Sequence, residues 1–232
     1  MNAVAADGVW KYYGDFPALR NVQLHAGEGA CLALIGRNGA GKTTLLRIIG
    51  GFSKAGRGQV RIHEADPREA ATRRRMGWIG HGISLYDELS ALENLSLFAQ
   101  LYGLPDPRKT AMEWLERTGL ERVKDGLVRE FSRGMRQRLA VARAFLHQPS
   151  VLLLDEPFTA LDDRAIAVLQ RLLREALAEG RTVVMSTHQL REALELATHV
   201  ALLNRGKVAF HGERTAEMLA DPGWVYAHYD EA

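Results

Sequence analysis

Residues 36–44 read Gly-Arg-Asn-Gly-Ala-Gly-Lys-Thr-Thr, and no other stretch restricts the fold of this chain as tightly. The segment fits G-x-x-x-x-G-K-[ST], a loop whose backbone N–H groups wrap around the phosphates of a nucleotide. Its flanks suit such a loop, since residues 30–35 form an apolar run fit for a buried strand and residues 44–50 have helical character. Gly36, Gly39 and Gly41 let the main chain turn tightly and approach a phosphate without an intervening Cβ. Lys42 has the reach for the β- and γ-phosphates, and the Thr43 hydroxyl is a ligand for Mg²⁺. Asn38, Ala40 and Thr44 complete the expected nucleotide-binding set.

Around this loop, strand-like and helix-like patterns alternate. Strands are expected near residues 4–10, 22–25, 59–62, 75–79, 151–154, 182–186, 199–204 and 207–210. From about residue 90 the apolar spacing turns helical. Leu92, Leu95, Phe98, Ala99 and Tyr102 share one face until Gly103 and Pro105 end it, and a second helix follows over 108–118. A longer helix carries Ala165, Ile166, Leu169, Leu172, Leu173, Ala176 and Leu177 on one face and stops at Gly180. Strands alternating with helices after a phosphate loop imply an α/β core with a largely parallel sheet.

With 30 basic and 28 acidic residues the net charge is +2, which gives no field suited to nucleic acid. The run Arg73, Arg74 and Arg75 reads as a solvated helix face ahead of a phosphate or lipid patch. Cys31 is the only cysteine, so an intrachain disulfide and a zinc knuckle are excluded, and its place in the apolar run makes it a buried hydrophobe. The N-terminus lacks the basic and apolar regions of a secretory signal, and no stretch approaches the roughly 20 apolar residues that span a bilayer. A soluble, intracellular chain is expected, with any membrane role exercised through a partner.

The second informative segment is Val-Leu-Leu-Leu-Asp-Glu-Pro at 151–157. A strand ending in two carboxylates can place Asp155 near the loop's Mg²⁺, and Glu156 beside it can orient a water for in-line attack on the γ-phosphate.

Together these segments resemble the ATP-binding subunits of ATP-binding-cassette (ABC) transporters. Four further stretches carry the resemblance in the family's order: Phe131-Ser132-Arg133-Gly134-Met135 is similar to the signature motif, Thr159-Ala160-Leu161-Asp162 to the D-loop, Ser186-Thr187-His188 to the switch-histidine segment, and Tyr13 to the aromatic that stacks on adenine. The resemblance implies one ABC ATP-binding domain over residues 1–232, with an N-terminal antiparallel β-subdomain and an α-helical subdomain near 90–148 inserted into the P-loop core. It further implies Mg²⁺-dependent ATP hydrolysis by Glu156, His188 and Lys42, with metal contact from Thr43 and Asp155. A homodimer would sandwich two ATPs, Ser132 and Gly134 of each chain facing the γ-phosphate on the other. Ser132 also reads as a helix N-cap, which the same geometry provides.

The sequence departs from the family pattern at Arg133 and Met135, and at His81, which stands where the family has the metal- or water-binding glutamine of the Q-loop. A histidine there is expected to make ATPase activity sensitive to pH below neutrality. Integral membrane subunits are the implied partners. Ile83, Leu85 and Tyr86 line a groove for a partner helix on one reading and belong to the core on the other. The segments 78–81, 92–95, 155–162 and 187–189 have a more specific likeness to the ATPase subunit of the bacterial cytochrome c maturation complex, a haem exporter at the inner membrane; the alternatives are the ATPase of another ABC exporter, of drugs, lipids or polysaccharide, and a soluble ABC ATPase outside transport. Haem itself is not expected on this chain, whose histidines lie in no c-type attachment motif. The aromatic tail 224–229 either packs back on the domain or docks a partner.

Overall fold

The computed structural model describes residues 1–80, 85–159 and 161–229. The readings that rest on His81, Ile83 and Ala160 lie outside those residues. Two antiparallel strands open the chain, β1 (Asn2–Tyr13) and β2 (Phe16–Gly27), joined by a tight turn at Gly14 and Asp15. Both strands are longer than the sequence pattern indicates. Phe16 and Pro17, expected in the loop, pair with Tyr13 and Tyr12, and proline is tolerated where the ladder is irregular. Strand β4 (Arg57–Ile62) pairs on the other side of β1, giving a three-stranded sheet of order β2-β1-β4.

The larger sheet has the order β5-β6-β7-β3-β8-β9. Its parallel members are β5 (Met76–Ile79), β6 (Val151–Asp155), β7 (Thr182–Thr187), β3 (Cys31–Ile35) and β8 (His199–Asn204); β9 (Lys207–Glu213) closes one edge antiparallel. Strands β3, β6 and β7 are buried along their whole length. That explains their unbroken apolar runs, since both faces of a parallel sheet are covered. Leu32, Leu34, Leu153 and Val184 face the small sheet and helix α1 (Lys42–Ile49). Cys31, Ala33, Leu152, Leu154 and Met185 face the remaining large helices. Burial pushes the Cys31 thiol up to about 12, so it stays protonated inside the core, as the sequence suggests.

A short helix, α2 (Ala70–Arg73), precedes β5. Arg73, Arg74 and Arg75 are all solvent-exposed, though only Arg73 is helical. Between β5 and β6 stand α3 (Ala91–Leu101), α4 (Pro107–Arg117) and α5 (Arg133–Phe145). Helix α3 starts where the sequence places it because Ser90 and Glu93 form a capping box, with Ser90 Oγ accepting from Glu93 N at 3.2 Å and Glu93 Oε2 accepting from Ser90 N at 2.8 Å. Asn94, fully buried, ties the preceding segment down through both backbone groups of Tyr86, at 2.8 and 2.9 Å. His147 fastens the three parts together: its Nε2 bonds Met76 O of β5 at 3.0 Å, and its ring stacks on Tyr102 at 3.8 Å.

The chain ends in α6 (Asp163–Ala178) and α7 (Leu190–Leu194), which flank β7, and then α8 (Ala216–Ala220) and α9 (Trp224–Tyr229). Helix α9 lies back on the domain. Val225 is fully buried, and Tyr229 stacks on Phe210 of β9 with ring centroids 4.5 Å apart.

Candidate active site

The carboxyl ends of β3, β6 and β7 lie side by side, which is where an open α/β sheet forms its ligand crevice. The loop 36–41 leaves β3 and enters α1, whose N-cap Gly41 has φ 106° and no side-chain cap. The first-turn N–H groups are therefore free to point at an anion. A side chain at Gly36 is excluded, because a Cβ there would lie 2.4 Å from Leu203 O on β8. Lys42 is 7 % exposed, and its Nζ donates to Gly36 O at 2.7 Å and to Arg37 O at 3.3 Å. Burial lowers its pKa, and the nearby carboxylates of Glu156 and Asp155 oppose that shift.

Three hydroxyl and carboxylate groups converge next to Lys42. Thr43 Oγ1 donates to Asp155 Oδ1 at 3.0 Å, and Ser186 Oγ donates to the same oxygen at 2.5 Å. Glu156 Oε1 lies 3.9 Å from Lys42 Nζ. Its other oxygen, Oε2, accepts from His188 N at 3.2 Å and pairs with His188 Nδ1 at 2.8 Å. With the carboxylate as acceptor, Nδ1 carries the proton and Nε2 is turned away from it. Glu156 holds a left-handed backbone, φ 54°, fixed by its N–H donating to Ser186 O at 3.0 Å. A non-glycine residue in that region is strained, a feature that concentrates at functional sites.

A pocket of about 290 Å³ opens over this cluster, lined by the loop 38–44, Glu156, Ala18, Tyr13 and Phe16. Tyr13 and Phe16 are cross-strand partners on either side of the hairpin turn, 55 % and 64 % exposed. The pocket thus offers aromatic faces at one end and backbone N–H groups with an ammonium at the other, which suits a base joined to phosphates.

The sequence profile of the ABC transporter family matches residues 19–159, more than half of the chain. The chain belongs to the ABC transporter family. Over 225 residues it is 37 % identical to a daunorubicin resistance ATP-binding protein of Streptomyces coeruleorubidus, covering 95 % of this chain and 71 % of that one. A Nod factor export ATP-binding protein of Paraburkholderia xenovorans is 35 % identical, with 95 % and 74 % covered. A sulfate/thiosulfate import ATP-binding protein of Methylococcus capsulatus is 40 % identical over 86 % of this chain and 60 % of its own length. Among solved structures, an ATP-binding subunit of an ABC transporter superposes with a TM-score of 0.86 at 30 % identity, covering 98 % of this chain and 94 % of that one. The dimeric post-hydrolysis state of the cassette MJ0796 with ADP and Pi superposes with a TM-score of 0.83 at 30 % identity, covering 92 % and 99 %.

As an ABC cassette the chain binds and hydrolyses ATP. The expected phosphate residues, from Asn38 to Thr44, line one pocket with Tyr13 and Glu156. Asp155 and His188 join them through their hydrogen bonds to Thr43 and Glu156. The pocket lining includes neither Ser132 nor Gly134. Ser132 instead caps α5, its Oγ accepting from Met135 N at 3.2 Å, and Gly134 sits in the first turn with open space where a Cβ would be. Helix α5 begins at Arg133, as expected where Ser132 supplies the N-cap.

Two participants are not evident from the sequence pattern. Phe16 reads as a loop residue, although a hairpin that sets it opposite Tyr13 brings both residues to one pocket. Ser186 reads only as part of the switch-histidine segment. Its alignment with Asp155 at the end of neighbouring strands is the signal that identifies it.

The donors beside Asp155 also fit a hard cation. A threonine hydroxyl and a carboxylate oxygen 3.0 Å apart, at the mouth of a phosphate loop, are the few oxygen ligands Mg²⁺ takes from protein when phosphates and water supply the rest.

Proposed function

We propose that this chain is the ATP-hydrolysing subunit of a membrane transport complex and works as a dimer closed around two ATPs. The observation that carries the reading is the Lys42–Glu156–His188 arrangement at the mouth of the phosphate loop. Lys42 holds the β- and γ-phosphates once it exchanges its loop carbonyls for them. Glu156, fixed by His188, orients the attacking water and takes its proton. Mg²⁺, held by Thr43 and Asp155, would neutralise charge on the β- and γ-oxygens. Tyr13 stacks on the base, with Phe16 beside it.

Ser132 and Gly134 act in trans. They stand at the N-terminus of α5, where N–H groups and the helix dipole favour an anion, and they complete the site on a second copy. The dimeric state of the cassette MJ0796 supports the second copy that this reading requires.

Among the described residues no helix is long and apolar enough to cross a membrane. In the proposed complex the membrane work belongs to separate subunits, with this chain at the cytoplasmic face. A groove of about 470 Å³ between α1 and α3, with Phe52, Trp78, Phe98 and Tyr102 in its walls, is the surface we assign to them. Tyr86 is half exposed and stacks on Phe98 at 6.0 Å, which favours the groove reading over the core one for that residue.

We read the chain as an exporter subunit on the daunorubicin resistance and Nod factor export relatives; an import permease in the native complex would instead place it with the sulfate/thiosulfate import relative. A second reading, haem handling in cytochrome c maturation, rests on the short segments 78–81, 92–95, 155–162 and 187–189 alone. Purifying the native complex from membranes and identifying its subunits by mass spectrometry separates the two. Small haem-handling membrane proteins would support the second reading, and an export permease the first. A chain that brings down no integral membrane protein and hydrolyses no ATP would overturn both.

A further inference from the structure

Ser186 has no reason of packing to be a serine. It is fully buried at the end of a strand whose preceding residues are Val183, Val184 and Met185, and alanine would fill the same space. A buried hydroxyl in such surroundings is costly unless its hydrogen bonds are made. Here both roles are used, and both partners belong to the reaction centre. The Oγ donates to Asp155 Oδ1 at 2.5 Å, within the range of a charge-assisted O–H···O⁻ bond, and accepts from Glu156 N–H at 3.3 Å.

The sheet sets up this contact. Asp155 and Ser186 are register partners at the carboxyl ends of β6 and β7, so their side chains leave the sheet together. A carboxylate rotates broadly about its last torsion, and a donor across the strand pair removes that freedom. The donor holds the oxygen that also receives the Thr43 hydroxyl at 3.0 Å. Glu156 is strained at φ 54°, and its N–H is shared between the carbonyl and the hydroxyl of Ser186.

We propose that Ser186 is a positioning residue for hydrolysis, turning the Asp155 carboxylate toward the Thr43 hydroxyl and steadying the turn that aims Glu156. It acts through the two carboxylate residues it bonds, Asp155 and Glu156. The inference rests on the ATPase reading above, and the test keeps the two apart.

The test uses the full chain as wild type, Ser186→Ala, Ser186→Thr and Ser186→Cys. Mn²⁺ binding to the ADP complex is followed by the loss of the free-ion signal in electron paramagnetic resonance. ADP affinity in EDTA, the thermal midpoint and the Mg²⁺ dependence of ATP turnover are measured alongside. Loss of an outer partner of a metal ligand weakens metal binding about 10-fold. Ser186→Ala is therefore expected to raise the Mn²⁺ dissociation constant and the Mg²⁺ half-saturation about 10-fold, and to lower kcat similarly. ADP affinity in EDTA stays within about twofold, because no phosphate contact is lost. Threonine, which keeps the hydroxyl, restores the metal response, and cysteine, a weak donor, falls between.

Unchanged Mn²⁺ binding in Ser186→Ala would overturn the proposal. So would a loss of ADP affinity in EDTA that tracks a lowered thermal midpoint, which marks a merely structural serine. If the alanine variant does not fold, the cysteine variant is read by the same criteria. A wild type that binds Mn²⁺ with ADP but turns over no ATP refutes the ATPase reading while leaving the Ser186 response to stand or fall on the Mn²⁺ data.

Discussion

Replacing His147 by glutamine should flatten the acid dependence of stability. His147 joins the ends of α3 and α5 to edge strand β5, and burial pulls its pKa from 6.5 to about 4, outweighing its bond to Met76 O; Arg143 and Arg181 lower it further. The ring is therefore neutral when folded at mildly acid pH, whereas the unfolded chain protonates near the ordinary value. A depressed folded pKa means that the stabilisation is fully present above about pH 6.5 and is lost as pH falls toward 4. At pH 5 the unfolded imidazole is about 97 % protonated and the folded one about 9 %. The difference in proton binding between neutral pH and pH 5 then costs about 2 kcal/mol of folding free energy. Glutamine can donate an amide N–H to Met76 O and does not titrate.

The assay is urea unfolding at a series of pH values for both proteins. Between pH 7.5 and 5 the wild type should lose about 2 kcal/mol more than His147→Gln, on top of the losses both share. Parallel stability curves for the two proteins, or a histidine resonance assigned to His147 that titrates near 6.5 in the folded state, would show that burial does not hold this imidazole neutral.

Other expected outcomes follow from single contacts. Gly36→Ala places a Cβ 2.4 Å from Leu203 O at φ 153°, so it should destabilise by at least about 1 kcal/mol, lowering the thermal midpoint by roughly 2–4 °C. Tyr13→Ala should weaken ATP binding by about 10-fold, measured by calorimetry, because a stacked base is worth on the order of 1–3 kcal/mol; unchanged affinity would move the base elsewhere. Ser132→Ala removes the α5 cap and should cost about 1 kcal/mol in unfolding experiments while abolishing most ATP-driven dimerisation.

Much of the fold and site is legible in the sequence because each clue is local. The phosphate loop, the apolar run ending in Asp155-Glu156, and the glycines closing the helices each declare themselves within a few residues. The hidden parts depend on which strands become neighbours. Nothing in the segment 183–187 says that Ser186 will lie across from Asp155; the order β6-β7-β3 decides it. The same holds for Phe16. Its proline neighbour argues for a loop, but pairing with β1 along an irregular ladder keeps both residues in a strand and brings Phe16 beside Tyr13. His147 looks like any polar residue after a helix until β5 and Tyr102 close around it. Ser132 and Gly134 show the other limit: in the proposed dimer the residues they serve belong to a second chain.

In the proposed dimer ATP is held and cut at a shared interface, with Glu156 as the residue that drives hydrolysis. Purified Glu156→Gln, incubated with ATP and Mg²⁺ and followed by size-exclusion chromatography with light scattering, tests it directly. A stable dimer retaining two ATPs and reverting to monomer with ADP is expected, with turnover reduced by at least about 100-fold. A variant that stays monomeric with ATP, or that hydrolyses it at near the wild-type rate, would rule out hydrolysis by Glu156 at a shared interface.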